Sequence, residues 1–352
     1  MFIYHSIKLI KAFDFINIFI CINILFFFIS CGPFTDTQIE TNYDLSPPVF
    51  EGLQIINGEK LELRFNEPTS TTKDSILIKP DITVFDVSQI ENIINIHIST
   101  QKPGIKYSLT AIFEDKNRNS TNMIITFYGY NPEVPKLLIN EFITNGSKYH
   151  PDLIEIKVLE GGNMGGVVVY QGTPSSWDDR IIFPVFPVKK DDYILVHFKP
   201  QGIAEEKDET ESKEQSGGID SSPYAYDFWV KDASGIGGNN GVLSIYENPA
   251  GNIIDGVLYS NRTSYSDDRY MGFGTKKVME RAFELHLNGG WKINAEVVQP
   301  EDSINPDGST STRSICRDSI PADTDSKGDW HIVPTRKSSF GKDNCDEVYS
   351  KN

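Results

Sequence analysis

Short segments in which polar and apolar residues alternate constrain the fold of this chain more than any other feature. Residues 60–65 alternate strictly, and the turn-forming residues 66–68 interrupt the pattern. Related segments follow at residues 137–142 and 153–158, where inward apolar side chains alternate with polar partners. A period of two is typical of half-buried β-strands, and short strands at regular spacing favour a β-sandwich. We therefore predict an all-β fold.

The composition bounds the number of domains and argues against one class of partner. With 352 residues, of which 39% are hydrophobic, the chain can fill the cores of two domains. Its 49 acidic residues outweigh its 33 basic ones and give a formal net charge of −16. Because affinity for nucleic acid comes mainly from clustered Lys and Arg, we do not expect nucleic acid as a partner.

The N-terminal segment has the layout of an export signal. Lys8 and Lys11 precede an apolar run at residues 16–29, which ends in Phe-Ile-Ser-Cys-Gly around Cys31. This ending resembles a bacterial lipobox, which implies that residues 1–30 are a signal peptide and that Cys31 is acylated. Acyl chains would then hold the exported chain at the bilayer. A transmembrane helix with an incidental cysteine is the alternative, although the run is shorter than the ~20 residues that a span prefers.

A first domain is expected at residues 47–130, after a polar tether at residues 31–46. Its characteristic residues are Leu63, Phe65, Glu67, Pro68, Pro103, Gly104, Tyr107, Asp115 and Asn119. In this pattern the segment resembles the bacterial Ig-like domains of surface proteins, although Arg118 stands where that family usually has glycine. The resemblance implies a spacer or interaction module without catalysis.

A second domain is expected at residues 137–345, after a proline-containing linker at residues 131–136 and before a tail at residues 346–352. Its characteristic residues are Ile139, Asn140, Glu141, Ile154, Glu155, Ile194, Val196, Leu243, Ile245, Gly251, Asp255, Asp323, Asp325, Ser326, Asp329, Trp330, Pro334, Thr335, Gly341 and Asn344. These positions resemble the lamin-tail domain, an Ig-like β-sandwich. In that resemblance Asn140 and Glu141 bond within the fold rather than to a ligand.

Two segments enlarge the second domain. Residues 200–223 are rich in Glu, Lys, Ser and Gly, and such charged runs are usually solvated, so we predict a flexible insertion, with a binding loop as the alternative. Residues 276–287 place apolar side chains at helical spacing before two glycines, which predicts one helix. The predicted fold is therefore two Ig-like β-sandwich domains in tandem, the second enlarged by a loop insertion and one helix.

Residues 323–329 resemble a calcium-binding loop in part. The oxygen donors are Asp323, Asp325 and Asp329. Lys327 stands where a further ligand is needed, and Pro334 stands where such a loop needs a carboxylate. We therefore expect a structural turn without a metal or other cofactor, and calcium at the three aspartates is the alternative. Residues 115–119 are interpreted in the same way.

Cys316 and Cys345 are the cysteines that remain in the mature chain if Cys31 is acylated. Two thiols in an exported chain favour a disulfide, which would stabilise the fold by ~3–4 kcal/mol through loop closure. Two separate reduced thiols are the alternative.

The sequence contains no motif that indicates catalysis. The histidines are isolated from one another and from the cysteines, which gives little support for a zinc site. They are His5, His97, His150, His197, His286 and His331. The glycine-rich segments lack the Lys-Ser or Lys-Thr pair of a phosphate loop, and no Gly-x-Ser-x-Gly motif occurs. We therefore expect a protein that is not an enzyme.

These expectations combine into one functional hypothesis. The chain would be a membrane-anchored lipoprotein of the bacterial cell envelope, on the periplasmic face or the cell surface, that acts as a non-catalytic binding, scaffold or adhesion module. Its partners would be the lipid bilayer, through acylated Cys31, and a protein or polymer that the sequence does not identify. The alternative is an accessory or targeting subunit for an extracellular nuclease or phosphatase, because lamin-tail-like domains also occur beside such enzymes.

Overall fold

The computed structural model describes residues 44–319 and 323–351. The predicted signal peptide and Cys31 lie outside the described residues. The chain divides into two compact units, and the second, Pro47–Asn352, contains every element described below. In the described ranges, no helix is both long and apolar enough to cross a membrane.

The first sandwich is built from the N-terminal strands of this unit. They are β1 (Phe50–Asn57), β2 (Lys60–Phe65), β3 (Thr69–Ser70), β4 (Leu77–Lys79), β5 (Val84–Ile90), β6 (Ile93–Ile98), β7 (Lys106–Asp115) and β8 (Ser120–Tyr128). One sheet has the order β1-β2-β6-β5. In the other sheet β7 pairs with β3 and β4 along one edge and with β8 along the other.

The core of the first sandwich comes from the inward residues of the alternating strands. Leu61, Leu63 and Phe65 of β2 are fully buried, and the ring of Phe65 lies 4.9 Å from that of Phe113 on β7. The sequence pattern of β2 and β6 therefore predicts their position well. The pattern does not reveal β5, because β5 is an edge strand and most of its side chains are exposed.

The second sandwich contains the remaining strands. They are β9 (Lys136–Ile143), β10 (Leu153–Glu160), β11 (Gly162–Asn163), β12 (Val168–Thr173), β13 (Ser176–Ile182), β14 (Pro187–Val188), β15 (Tyr193–His197), β16 (Tyr226–Trp229), β17 (Asn240–Tyr246), β18 (Ile253–Ser260), β19 (Ile315–Arg317) and β20 (Trp330–Ile332). A six-stranded sheet has the order β16-β15-β10-β9-β19-β20, and a four-stranded sheet has the order β13-β12-β17-β18. Strands β11 and β14 form a separate short pair.

A single α-helix packs on the four-stranded sheet. Helix α1 (Lys276–Leu287) begins after Thr275, whose side chain accepts a hydrogen bond from Val278 N at 3.2 Å. Val278, Ala282 and Leu285 are buried in the core of the second sandwich. The prediction of an all-β chain with two sandwiches, the second carrying one helix, is confirmed.

Strand β9 departs from the half-buried pattern that the sequence predicts. Every residue of β9 after Lys136 is buried, including Asn140 and Glu141. One face of the six-stranded sheet packs on the core, and residues 338–344, which we call the strap, cover the other face. Phe340 of the strap packs against the apolar cluster around Leu153 and Leu195. The sheet is therefore buried on both faces.

The insertion at residues 200–223, predicted to be flexible, is largely exposed or half-buried and contacts the sheet through Glu209. Glu209 is fully buried and accepts hydrogen bonds from Gln215 N at 2.6 Å and from Asp227 N of β16 at 2.9 Å. The topology of the sheet explains why this segment is long. Strand β16 runs parallel to β15, and a parallel pair needs a long crossover to return the chain to the same end of the sheet.

Candidate functional site

A groove with a volume of about 860 Å³ opens on the second sandwich. Its walls come from the end of β18 with residues 260–263, the loop at residues 300–308, strand β20 and residues 348–351. The last of these segments was predicted to be a tail. In the structure Tyr349 N donates a hydrogen bond to Ile332 O of β20 at 2.7 Å, so the segment is docked on the sandwich. The chain terminus therefore forms part of the groove.

Basic side chains outnumber acidic ones around this groove. The basic residues are Arg262, Arg313, Lys327 and Lys351, and the acidic residues are Glu301 and Asp307. The guanidinium of Arg313 lies 4.2 Å from the ring centroid of Tyr349, and Lys351 is exposed. Arg262 is ion-paired with Asp267 at 3.3 Å, so the groove has a small excess of positive groups on a chain whose net charge is −16.

Two polar atoms in the groove walls lack a hydrogen-bond partner among the described residues. They are Ser303 Oγ and Trp330 Nε1, and the two residues are only 5% and 8% exposed. The Trp330 ring is held from the interior by Phe142, with ring centroids 5.3 Å apart, and by the guanidinium of Arg317 at 4.6 Å. Both atoms are buried beneath the groove surface, and buried polar atoms normally have a partner.

A buried polar layer joins the strap to the six-stranded sheet. Glu141 accepts hydrogen bonds from the Ser339 amide at 3.0 Å and from Ser314 Oγ, and Glu155 accepts one from the Gly341 amide. Burial raises the pKa of Glu141, and burial together with the nearby charge of Glu141 raises the pKa of Glu155 well above its ordinary value. Both glutamates therefore bond within the fold, as the sequence indicates for Glu141.

Asn140 belongs to the same layer. Its side-chain amide donates to Glu155 at 2.6 Å, and the Asn344 amide donates to Asn140 Oδ1 at 2.9 Å. Asn140 is 3% exposed. Its side chain therefore links two strands to the strap and is not available to a ligand.

The three aspartates of the calcium hypothesis lie around cationic side chains. Arg317 Nη1 contacts Asp323 at 2.6 Å and Asp329 at 3.3 Å. The third aspartate, Asp325, contacts Lys292 at 2.6 Å. Asp329 also accepts hydrogen bonds from the amides of Thr324 and Ser326, which forms the turn that leads into β20.

Asp255, one of the residues that carry the lamin-tail resemblance, completes this cluster. Asp255 of β18 lies 3.2 Å from Arg317 Nη2 and accepts a hydrogen bond from Ile139 N at 2.5 Å. One carboxylate oxygen each of Asp255, Asp323 and Asp325 lies within 4.8 Å of the other two. Because Arg317 and Lys292 already lie against these oxygens, the arrangement is suited to fixing the turn.

The two cysteines of the predicted disulfide are free thiols in the structure. Cys316 is buried beside the backbone of Cys345, and its thiol lies 3.3 Å from Arg317 O. Burial and the charge of Glu141 raise the pKa of the Cys316 thiol. The disulfide between Cys316 and Cys345 stays a prediction.

Three histidines that are isolated in the sequence pair with aspartates in space. His331 lies 2.7 Å from Asp318, and His150 lies 3.0 Å from Asp220. The third pair, His197 and Asp227, is fully buried at 2.7 Å. His197 also stacks on Trp229, and its Nδ1 has no partner among the described residues. No described hydroxyl therefore completes a catalytic triad at this pair, which joins β15 to β16.

The groove could not be located from the sequence. Its basic residues come from segments that are up to 89 positions apart, between Arg262 and Lys351, and no segment alone has a recognisable motif. The residues that the sequence did select, such as Asn140 and Glu141, are structural. The local signal was the position of Arg262 two residues after the end of β18, in a loop, where functional residues are often found.

The fold and the groove together define the class of protein, a tandem β-sandwich with a basic surface groove on an acidic chain. The chain belongs to the TP_1001_2nd family, because the model of that family, described as a protein second domain, matches residues 135–332, more than half of the chain. The match covers the second sandwich through β20.

A relative and a solved structure resemble parts of this chain. An uncharacterized protein of Treponema pallidum (strain Nichols) is 26% identical over 165 residues, which cover 46% of this chain and 41% of the relative. The match therefore spans less than half of the relative's length. The crystal structure of a DUF4876 family protein from Bacteroides thetaiotaomicron VPI-5482 covers 76% of this chain and 90% of its own, with 12% identity and a TM-score of 0.29.

Proposed function

We propose that this chain is a lipid-anchored, non-catalytic binding module of the bacterial cell envelope and that its groove binds an acidic, hydroxyl-rich polymer. The observation that carries this proposal is the excess of basic side chains around the groove of a chain whose net charge is −16. A basic cleft raises the local concentration of anionic ligands.

The side chains of the groove suit an acidic carbohydrate. Arg313 and Lys351 supply positive charge to the groove. Carboxylates of a ligand form charge-assisted hydrogen bonds with guanidinium and ammonium groups. Asn261 and Asn305 supply amide donors and acceptors that match sugar hydroxyls, and Tyr349 supplies an aromatic ring. An oligosaccharide of uronic acids combines these features in one extended ligand.

The anchor is proposed from the sequence around Cys31 and from the polar tether that follows it. Two or more acyl chains hold a protein stably at a bilayer, whereas one chain gives marginal binding. Labelling of cells with a radioactive fatty acid tests the anchor. Label is expected in the wild-type chain and is expected to be lost in Cys31→Ala, and label that persists in the variant would contradict acylation at this cysteine.

Calorimetric titration of the full chain tests the groove. An oligogalacturonate is expected to bind, with an affinity that falls as salt is added, and a neutral cello-oligosaccharide of equal length is expected to bind weakly or not at all. Lys351→Glu is expected to lower the affinity for the acidic ligand about tenfold, which corresponds to ~1.4 kcal/mol of binding free energy. Lys351 is exposed, so this change is expected to leave the fold intact.

The matched control reverses a charge outside the groove. Lys190 is exposed on the second sandwich and does not line the groove. Lys190→Glu gives the same change in net charge as Lys351→Glu and is expected to leave the affinity within about twofold. An equal loss in both variants, or equal binding of the acidic and neutral sugars, would count against the groove as the site.

A further inference from the structure

Strand β8 of the first sandwich is a sheet edge without the usual protection against pairing. It pairs with β7 along its length, and no described strand pairs with its other edge. Its nine residues, Ser-Thr-Asn-Met-Ile-Ile-Thr-Phe-Tyr, contain no charged residue and no proline. Exposed edges normally carry Lys, Pro or a bulge, because their free N–H and C=O groups are a template for another strand.

The even-numbered residues of β8 direct their backbone groups toward this free edge. Gly129 N donates to Ile105 O at 2.9 Å, and Asp115 N donates to Asn119 O at 3.1 Å, so odd-numbered residues form the hydrogen-bonded pairs with β7. In an antiparallel ladder the bonded and non-bonded pairs alternate. The N–H and C=O groups of the even-numbered residues 122, 124 and 126 therefore point away from β7.

Apolar side chains accompany these backbone groups. Ile124, at the centre of β8, is 72% exposed, and it lies opposite Thr110 of β7, which in turn lies opposite Leu77 of β4. Leu77 is 52% exposed, and Ile112 on β7 is 47% exposed. Ile124 and Ile112 are diagonal neighbours on this face, and Leu77 lies beyond Thr110 in the row of Ile124.

We propose that β8 pairs antiparallel with β8 of a second copy of this chain, about a two-fold axis at Ile124. In this register the two Ile124 residues lie opposite each other, and Asn122 of each copy lies opposite Thr126 of the other. Only even-numbered residues then form hydrogen-bonded pairs across the interface, so the outward groups of both strands are satisfied. The contact uses the same surface on both copies and closes at a dimer.

The lack of charge on β8 allows a second copy to occupy this edge. β8 itself is uncharged, so two copies of net charge −16 meet there with less repulsion than across charged surface. On β7, Lys106 lies beside Tyr128 at one end of β8, and Glu114 lies beside Ser120 at the other end. Antiparallel pairing brings Tyr128 of one copy next to Ser120 of the other. The two paired β8 strands then separate Lys106 of one copy from Glu114 of the other by roughly 14 Å.

Sedimentation equilibrium of the full chain tests this pairing. The mass-average molecular weight of the wild-type chain is expected to rise from one copy toward two over micromolar concentrations. Ile124→Lys places a charge at the centre of the interface and is expected to weaken association at least tenfold. The control Ile90→Lys changes a residue that is 64% exposed on β5, in the other sheet, and is expected to leave association unchanged.

A second variant separates edge pairing from folding. Thr126→Pro removes an N–H that points away from β7, so the β7–β8 ladder is kept while pairing across the free edge is expected to be lost. In the wild-type chain, hydrogen exchange of a peptide that covers residues 120–128 is expected to slow as concentration rises. A wild-type chain that stays monomeric, or an equal effect of Ile90→Lys, would overturn the proposal. Protection that is independent of concentration would also overturn it, because the edge would then be covered by another occupant.

Discussion

Arg317 links four parts of the second sandwich through a single buried side chain. It is 2% exposed, donates to Ile139 O at 2.7 Å, and contacts the carboxylates of Asp255, Asp323 and Asp329. Burial raises the pKa of Asp255 to about 7, with the Arg317 guanidinium opposing the rise. Asp255 therefore lowers the stability of the fold as the pH rises from about 4 through 7, and Arg317 limits that loss.

Replacement of Arg317 with methionine is expected to lower the free energy of unfolding by ~3–5 kcal/mol at pH 8, because the charge of Asp255 is then buried without its partner. At pH 5 the loss is expected to be smaller, since Asp255 is protonated in the fold. Urea unfolding at both pH values measures the effect. Arg269→Met, at an exposed arginine, is the control and is expected to change stability by less than ~0.5 kcal/mol. If Arg317→Met lowered the free energy of unfolding by the same amount at both pH values, this explanation would be contradicted.

At the scale of elements, the strap explains why the six-stranded sheet is buried on both faces. Its backbone reaches the sheet through the amides of Ser339 and Gly341, which donate to buried glutamates. Gly341 has a φ of +78°, a conformation that other residues adopt at a cost, and a Cβ there would lie 2.7 Å from Ser222 Oγ. The strap therefore depends on glycine at this position.

Gly341→Ala is expected to destabilise the fold by ~1–2 kcal/mol, because it adds backbone strain and a close contact at the point where the strap meets Glu155. Gly328→Ala is the matched control. A Cβ at Gly328 would meet only Ser326 Oγ at 3.6 Å, so its expected effect is within ~0.5 kcal/mol. Thermal unfolding of the two variants measures the difference. Equal melting temperatures for the two variants would show that the strap does not depend on Gly341.

Elements with a local sequence pattern are predicted correctly. Features that depend on residues far away in the chain are not predicted. The alternation in β2 and β6 and the helical spacing of α1 are local, and those elements lie where expected. The second covered face of β9 comes from the strap, about 200 positions away, and the pattern of β9 itself does not show it. The order within residues 200–223 similarly depends on Glu209, whose partners a local charge pattern does not reveal.

At the scale of the whole molecule, an acidic chain carries two surfaces that differ from the rest. The groove of the second sandwich has an excess of basic groups, and the β8 edge of the first sandwich has no charge. Each surface is assembled from residues that the fold brings together, so composition alone indicates only the acidic background. The two proposals are independent, because binding in the groove requires no dimer and pairing of β8 requires no ligand.

The indole N–H resonances of the tryptophans test the binding proposal most directly. Trp291 and Trp229 donate their indole N–H to Asp302 O and Ser216 Oγ, at 3.1 and 3.0 Å, whereas the Trp330 indole in the groove wall has no partner among the described residues. During titration with oligogalacturonate, the ¹H–¹⁵N indole cross-peak of Trp330 is expected to shift with the calorimetric isotherm while that of Trp229, which does not line the groove, stays fixed. Saturable binding that leaves the Trp330 cross-peak unmoved would place the ligand elsewhere and contradict the groove as the binding site.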